Sequence, residues 1–179
     1  IDVLRKDAKN TVQYFQNIGY KVTLLSGDSN KIVSNIAKKV GIADYYGEAS
    51  PIDKCEYIEK LKKKGSKILM VGDGLNDAPS LSLADVSISP SSAIDITQNT
   101  ADIVFQGKVL RPIIKTIVVA KKAKKIIIEN FMIAICYNMI AIPLAVFGYV
   151  TPLIAAIAMS SSSLVVILNS FRLNSKGIE

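Results

Sequence analysis

"VGDGLNDAP" (residues 71–79) is the stretch on which the reading of this chain turns. It closes the apolar run "KILMVGD" (67–73), a pattern that predicts a buried strand ending in a carboxylate between two glycines. Gly72 and Gly74 allow the backbone to turn and to approach a ligand closely. Asn76, Asp77 and Pro79 then open a short helix, whose start favours anions. Asp73 is placed as an oxygen ligand for Mg²⁺, an ion that usually takes one or two carboxylates together with substrate phosphate. Asn76 has an amide to donate to a phosphate oxygen. The structural alternative is a glycine-rich turn in which Asp73 and Asn76 serve only as caps.

Working outward from this motif, residues 1–107 alternate helical and strand patterns. "RKDAKNTVQYFQNI" (5–18) has amphipathic spacing and is closed by Gly19. "KVTLLSGD" (21–28) reads as a second buried strand ending in Gly27 and Asp28. Residues 29–40 return to helical spacing and stop at Gly41. "SPIDKCEYIEKLKKKG" (50–65) starts with Ser50 as N-cap and Pro51 at the first helical position. After the decisive motif come strand "DVSIS" (85–89), helix "SAIDITQNT" (92–100) and strand "DIVF" (102–105). Alternation of this kind predicts an α/β domain with a doubly wound, Rossmann-like parallel sheet, and ligands in such sheets sit beyond the carboxyl ends of the strands.

Three segments together carry a family resemblance. The 71–79 string is similar to the hinge motif of P-type ATPases, in their haloacid-dehalogenase-like phosphorylation domain. "LLSGD" (24–28) resembles that family's TGD-type strand end, with Ser26 where threonine is usual. "SPIDK" (50–54) resembles the segment that presents the phosphate-binding lysine, here Lys54. The resemblance implies that Asp28 and Lys54 contact the phosphoryl group, Asp73 binds Mg²⁺, and Asn76 and Asp77 order phosphate and metal, with Gly27, Gly72 and Gly74 shaping the site. It also implies ATP as substrate and an aspartyl-phosphate intermediate. The nucleophile of the family's DKTGT segment is not in this sequence; Asp53 of "DKC" lies inside the lysine-presenting helix, not at a strand end. The chain starts at Ile1 without methionine and is expected to be a piece of something longer; the resemblance implies the last portion of a pump, and without the nucleophile it is expected to be inactive in ATP hydrolysis by itself.

Half of the residues are apolar, and between Asn130 and Phe171 no residue is charged. That stretch has room for two spans of about 20 residues, broken at Gly148–Pro152 by a turn-like element. The segments expected are a phosphorylation domain (1–107), a basic linker helix (108–125), a transmembrane hairpin (126–173) and a tail (174–179). Seven of the basic residues behind the +7 net charge fall between Lys108 and Lys125, with Arg172 and Lys176 after the second span. The positive-inside rule therefore places both hairpin ends and the soluble domain in the cytoplasm, against the lipid bilayer. No aromatic–basic interleaving accompanies the charge, which argues against a nucleic-acid partner. With two cysteines and no histidine, a disulfide framework and a zinc site are not expected.

In the spans, Asn130 and Tyr137 share a helix face, with Asn138 a further 100° round. Such groups line a pathway or tie helices together, the latter at roughly 1 kcal/mol each. Pro143 loosens the same helix locally. In "AMSSSSLVVIL" (158–168), Met159, Ser162 and Ser163 share a face, whereas Ser160 and Ser161 point elsewhere as small packing residues. A thioether favours Cu(I) over hard cations, and the spans hold no carboxylates, which hard cations call for, beyond Glu129 near the membrane edge. Tyr137-Asn138 with Met159, Ser162 and Ser163 resembles the copper(I) branch of the heavy-metal P-type ATPases, and "GYVTPLIAAIAMSSSSLVVILNSFRL" (148–173) resembles the pumps that serve assembly of cbb-type haem–copper oxidases. The resemblance implies export of Cu⁺ from the cytoplasm across a bacterial inner or plasma membrane. It further implies a cysteine pair on an upstream helix, the upstream remainder of the pump as partner, and a copper chaperone or acceptor. Cys136 reads as a small apolar filler. Two other classes stand beside this reading: a non-catalytic remnant or split-gene partner module, and a membrane-tethered phosphatase of the same superfamily, which would need its own nucleophile strand.

Overall fold

The computed structural model describes residues 4–73, 75–93 and 95–173. Gly74 and the tail 174–179, both singled out in the sequence, lie outside them. The chain divides into two compact units, Ile1–Ile114 and Lys115–Glu179.

The first unit is α/β. Helix α1 (Ala8–Asn17) leads to β1 (Thr23–Leu25), α2 (Asn30–Val40), β2 (Asp44–Tyr46) and α3 (Pro51–Lys63). Then come β3 (Leu69–Val71), a 3₁₀ turn (Leu75–Asp77), α4 (Ala78–Leu83), β4 (Val86–Pro90), α5 (Asp95–Thr100) and β5 (Ile103–Phe105). All pairings are parallel, as the sequence predicts, but they form two ladders rather than one sheet: β1–β2, and β3–β4–β5. Strands β1 and β3 are shorter than their apolar runs, and β2 has no counterpart among the predicted strands.

Local chemistry accounts for the helix ends. Ser50 and Asp53 form a reciprocal capping box at α3: the Ser50 hydroxyl accepts from the Asp53 amide, and the Asp53 carboxylate accepts from the Ser50 amide at 2.8 Å. Hydrogen bonding from Ser50, its side chain first and its backbone amide second, holds the Asp53 carboxyl below its ordinary range. Gly41 ends α2 at φ +85°, a left-handed conformation suited to glycine. One core packs Ala8 of α1 against Ala37 and Val40 of α2 and Ile42, with Val22, Leu24 and Tyr45 beside them. The other half buries Leu81, Ile88 and Phe105. Three serines, Ser80, Ser87 and Ser89, are buried among these apolar groups. Ser87 is satisfied by Asp102, whose carboxylate accepts from both its amide and its hydroxyl at 2.8 Å.

Helix α6 (Arg111–Val146), which starts at the end of the first unit, begins on a borrowed cap. The Asp7 carboxylate accepts from the amides of Leu110 (2.7 Å) and Arg111 (2.8 Å), so a side chain from the start of the unit satisfies orphan donors at the start of α6. Helix α6 then runs from Arg111 to Val146 without interruption, 36 residues or about 54 Å. The predicted basic helix and the first span are thus one element: nothing between Arg111 and Val146 breaks a helix except Pro143, and that residue falls in the last turn.

In the second unit α6 turns at Gly148 (φ +78°) into α7 (Pro152–Phe171), capped by the Thr151 hydroxyl. Both helices are long and apolar enough to cross a membrane, and their apolar side chains are broadly exposed. Twenty residues give α7 a length of about 30 Å, the thickness of a bilayer's hydrocarbon core.

Candidate functional site

The acidic strand ends predicted from sequence are held by distinct local structures. At the end of β1, the Ser26 hydroxyl donates to the Asp28 carboxylate (2.9 Å) and accepts from the Asp28 amide (3.2 Å). The loop after β2 buttresses this end: the amides of Glu48 and Ala49 donate to the carbonyls of Asp28 (2.7 Å) and Ser26 (2.9 Å). Glu48 takes a left-handed φ of +55° to do so. Its neighbour Gly47 has to be glycine here, because a Cβ would stand 2.8 Å from Asn30. By contrast, a Cβ on Gly27 would meet only the Ala49 carbonyl at 3.7 Å, an ordinary contact.

Lys54 and Asp77 are brought together. The lysine Nζ donates to Asp77 Oδ1 at 2.6 Å, with the two side chains 10% and 15% exposed. One partner comes from the first turn of α3 and the other from the 3₁₀ turn after β3, so the pair ties the two ladders to each other. A shielded pair of this kind costs desolvation that its attraction only partly offsets, and removing one partner strands the other charge. Gly72 belongs to the same construction: a Cβ there would lie 2.8 Å from the Asp77 Cβ and 3.0 Å from its carboxylate.

Asp73 stands apart from that pair, 65% exposed, with Arg5 Nη2 at 3.6 Å from its carboxylate. The Arg5 guanidinium also lies over the Phe105 ring, and its Nη1 is buried without a partner among the described residues. Asn76 is exposed beside the Lys54–Asp77 pair. Among the described residues no group of three or more Asp, Glu, His or Cys side chains is arranged to hold a metal. Asp73 offers one exposed carboxylate; Mg²⁺ usually takes one or two protein carboxylates and completes its shell with water and substrate oxygens.

In the second unit the partly shielded residues trace one stripe on each helix. On α6 it includes Asn130, Ala134, Tyr137 and Ala141; on α7 it includes Ala158, Ser162, Val166 and Asn169. Tyr137 and Ser162 lie on these stripes, whereas Asn138, Ser163 and Met159 are exposed, the last at 72%. Ser160 and Ser161 donate to the carbonyls of Ala156 and Ala158, each at 2.9 Å, within their own helix. Ser163 does the same toward Met159, at 3.2 Å.

The haloacid dehalogenase-like hydrolase family matches residues 1–85. The nitrogen fixation protein FixI of Bradyrhizobium diazoefficiens is 45% identical over 176 residues, 98% of this chain and 24% of that protein. The probable copper-importing P-type ATPase A of Enterococcus hirae is 42% identical over 180 residues, 99% of this chain and 25% of the relative. A crystal structure of a zinc-transporting PIB-type ATPase in its E2.Pi state shares the fold at a TM-score of 0.90 and 29% identity, over 96% of this chain and 28% of that one. The chain is related to the heavy-metal P-type ATPases. It spans about a quarter of the length of the curated relatives it matches. Two apolar helices and membrane-pump relatives make it an integral membrane protein, with a haloacid-dehalogenase-like unit preceding the hairpin.

Several residues with structural weight carry no motif in the sequence. Arg5 reaches Asp73 across 68 positions, and no local spacing announces it. Asn30, Gly47 and Glu48 hold the Asp28 strand end through a loop that follows an unpredicted strand. Asn169 and Arg172 emerge only once the two helices are seen side by side.

Proposed function

We propose that this chain is the C-terminal part of an ATP-driven Cu(I)-translocating pump that works through an aspartyl phosphate whose nucleophile lies upstream. The observation that supports this most is the pair of separate ladders. Among the described residues β1 and β3 each have a free edge; they are the two strands that lead to Asp28 and Asp73, and Lys54 and Asp77 tie the halves behind them. An extended segment pairing with both edges would deliver a carboxylate between those ends, where phosphoryl transfer needs it.

In that reading Lys54 offsets phosphoryl charge as a point cation, Asp28 and Asn76 orient phosphoryl oxygens, and Asp77 holds the lysine in place. Asp73 would hold Mg²⁺, which when bound neutralises charge building on the transferring group. Arg5 balances the Asp73 carboxylate from the other side. In the hairpin, Met159 supplies a soft ligand and Tyr137, Asn138, Ser162 and Ser163 supply the remaining polar surface for Cu(I). Cargo moves out of the cytoplasm, the side on which the soluble unit and the basic residues of α6 lie.

The experiment joins this chain to an upstream polypeptide that carries the DKTGT segment and the earlier spans. Cu(I)-stimulated ATP hydrolysis should require both pieces, and Asp73→Asn should abolish Mg²⁺-dependent phosphoenzyme while the fold, read by circular dichroism, is kept. Inside-out vesicles should accumulate Cu(I) when ATP is added outside. Hydrolysis by this chain unaided, normal phosphorylation of Asp73→Asn, or Cu(I) loss from those vesicles would each count against the proposal.

A further inference from the structure

The end of the hairpin away from its turn carries a polar network that the pump reading does not use. Arg172 Nη1 donates to Glu129 Oε2 (2.9 Å) and to Asn169 Oδ1 (2.8 Å). Asn169 Nδ2 donates to Asn130 Oδ1 (2.8 Å) and reaches Glu129 Oε2 (3.5 Å), and Asn130 Nδ2 donates to Ser170 Oγ (3.0 Å). Two adjacent residues on α6 are thus laced to Asn169 and Ser170 on α7 and to Arg172 just past its end, with each amide used as both donor and acceptor. From the geometry we infer that Glu129, Asn130, Asn169 and Arg172 form a register clamp, a set of positioning residues that fixes how α7 lies along α6.

Helix arithmetic gives the consequence. Asn130 lies 16 residues before Val146, and Asn169 lies 17 after Pro152, so clamp and turn close two arms of nearly equal length and leave little slack. Seven residues from the clamp, about 10.5 Å along each axis, stand Tyr137 on α6 and Ser162 on α7. Seven residues return a helix to nearly the same face. Tyr137 therefore shares the face of Asn130, and Ser162 that of Asn169, as the shielded stripes show. The clamp sets these two residues opposite each other. Asn138 and Ser163 each lie 100° further along helices of opposite direction, so both turn to the same side of the hairpin. Met159 joins them within about 6 Å of axial height. A slip of α7 by one turn would displace Met159 and Ser163 by about 5.4 Å from Asn138 and empty that side of its matched donors. That the slip would matter for cargo rests on the Cu(I) reading; the clamp and its register do not.

The test uses this chain in membranes, with Cys55→Ser and Cys136→Ala to remove native thiols. Tyr137→Cys with Ser162→Cys should cross-link through a bifunctional maleimide short enough to miss after a one-turn slip. Asn130→Leu with Asn169→Leu should lower the yield by roughly threefold or more for each interhelix bond lost. Glu129→Ala should lower it too, and the swapped pair Glu129→Arg with Arg172→Glu should restore it, which a merely bulky or apolar role would not do. Unchanged cross-linking in the Asn130→Leu, Asn169→Leu chain, or no recovery in the swap, overturns the clamp. In the complete pump, the same leucine pair should raise the Cu(I) concentration needed for phosphorylation by ATP and leave phosphorylation by inorganic phosphate intact. An unmoved Cu(I) requirement overturns the positioning role, whereas a wild-type pump indifferent to Cu(I) but with clamp-dependent cross-linking supports the clamp and removes only the cargo.

Discussion

At the scale of single residues, the first unit relies on polar groups placed where apolar ones would be easier. Ser87 is almost wholly buried, and its hydroxyl and amide are both satisfied by Asp102, which in turn donates its own amide to the Ser87 oxygen at 3.1 Å. The hydroxyl bond first, and the amide bond second, hold the Asp102 carboxyl below its ordinary value of 3.8. A carboxyl depressed in the folded state stabilises the fold above its unfolded value, and that contribution is lost as pH falls through the folded one. Stability should therefore drop as the solution is acidified below pH 3.8. Asp102→Asn should be less stable at neutral pH and show a shallower acid limb in urea unfolding followed by circular dichroism. Parallel acid limbs in the two proteins would rule this account out. Asp85 is depressed for a similar reason, chiefly the Ile68 amide and then Lys67, so part of the acid limb should survive in the variant.

At the scale of elements, what the sequence announced depended on whether the cause was local. Helices α2 and α3 were legible to within a residue or two, since Ser50, Pro51 and Gly41 are caps that act on neighbours. The strand Asp44–Tyr46 was not legible: it is three residues long, and it is a strand because β1 lies beside it. The division at Lys125 followed charge, whereas the backbone follows helix breakers, so α6 continues through it. For the site the same rule applies. Asp28, Lys54, Asp73 and Asp77 sit in short motifs, but the Lys54–Asp77 contact spans 23 positions and Arg5–Asp73 spans 68, so neither pairing could be read from spacing. In the serine run of α7, Ser160, Ser161 and Ser163 each spend their hydroxyl on a carbonyl of their own helix, and Met159 is open. In a complete pump, Met159→Leu should lower Cu(I)-stimulated turnover by about tenfold or more, through loss of the soft ligand, while Ser161→Ala stays within about twofold. Equal losses in steady-state ATPase assays would make the run a packing device throughout.

At the scale of the whole molecule, the first unit has the makings of one sheet but is built as two ladders with four short strands exposing an edge. Natural sheets seldom leave a flat apolar edge unpaired, because it recruits other strands. Here Val71, at the end of β3, is 43% exposed although it continues an apolar run, and all of β1 is only half-buried. Central strands of a parallel sheet are ordinarily covered on both sides. β1 and β3 therefore have the composition of central strands and the surroundings of edge strands, and that mismatch is what a missing neighbour would remove. If a segment bearing the nucleophile pairs with both, their amides should become protected together. Hydrogen exchange at Thr23–Leu25 and Leu69–Val71 should slow markedly when the upstream polypeptide is added, because exchange there now needs opening of a paired ladder. β4 already pairs on both sides, with β3 and β5, and serves as the internal control. Its exchange should change far less than that of its neighbour β3. Slowing confined to β4, or slowing of β1 without β3, would mean that the upstream piece docks elsewhere and that the two ladders are separate by design.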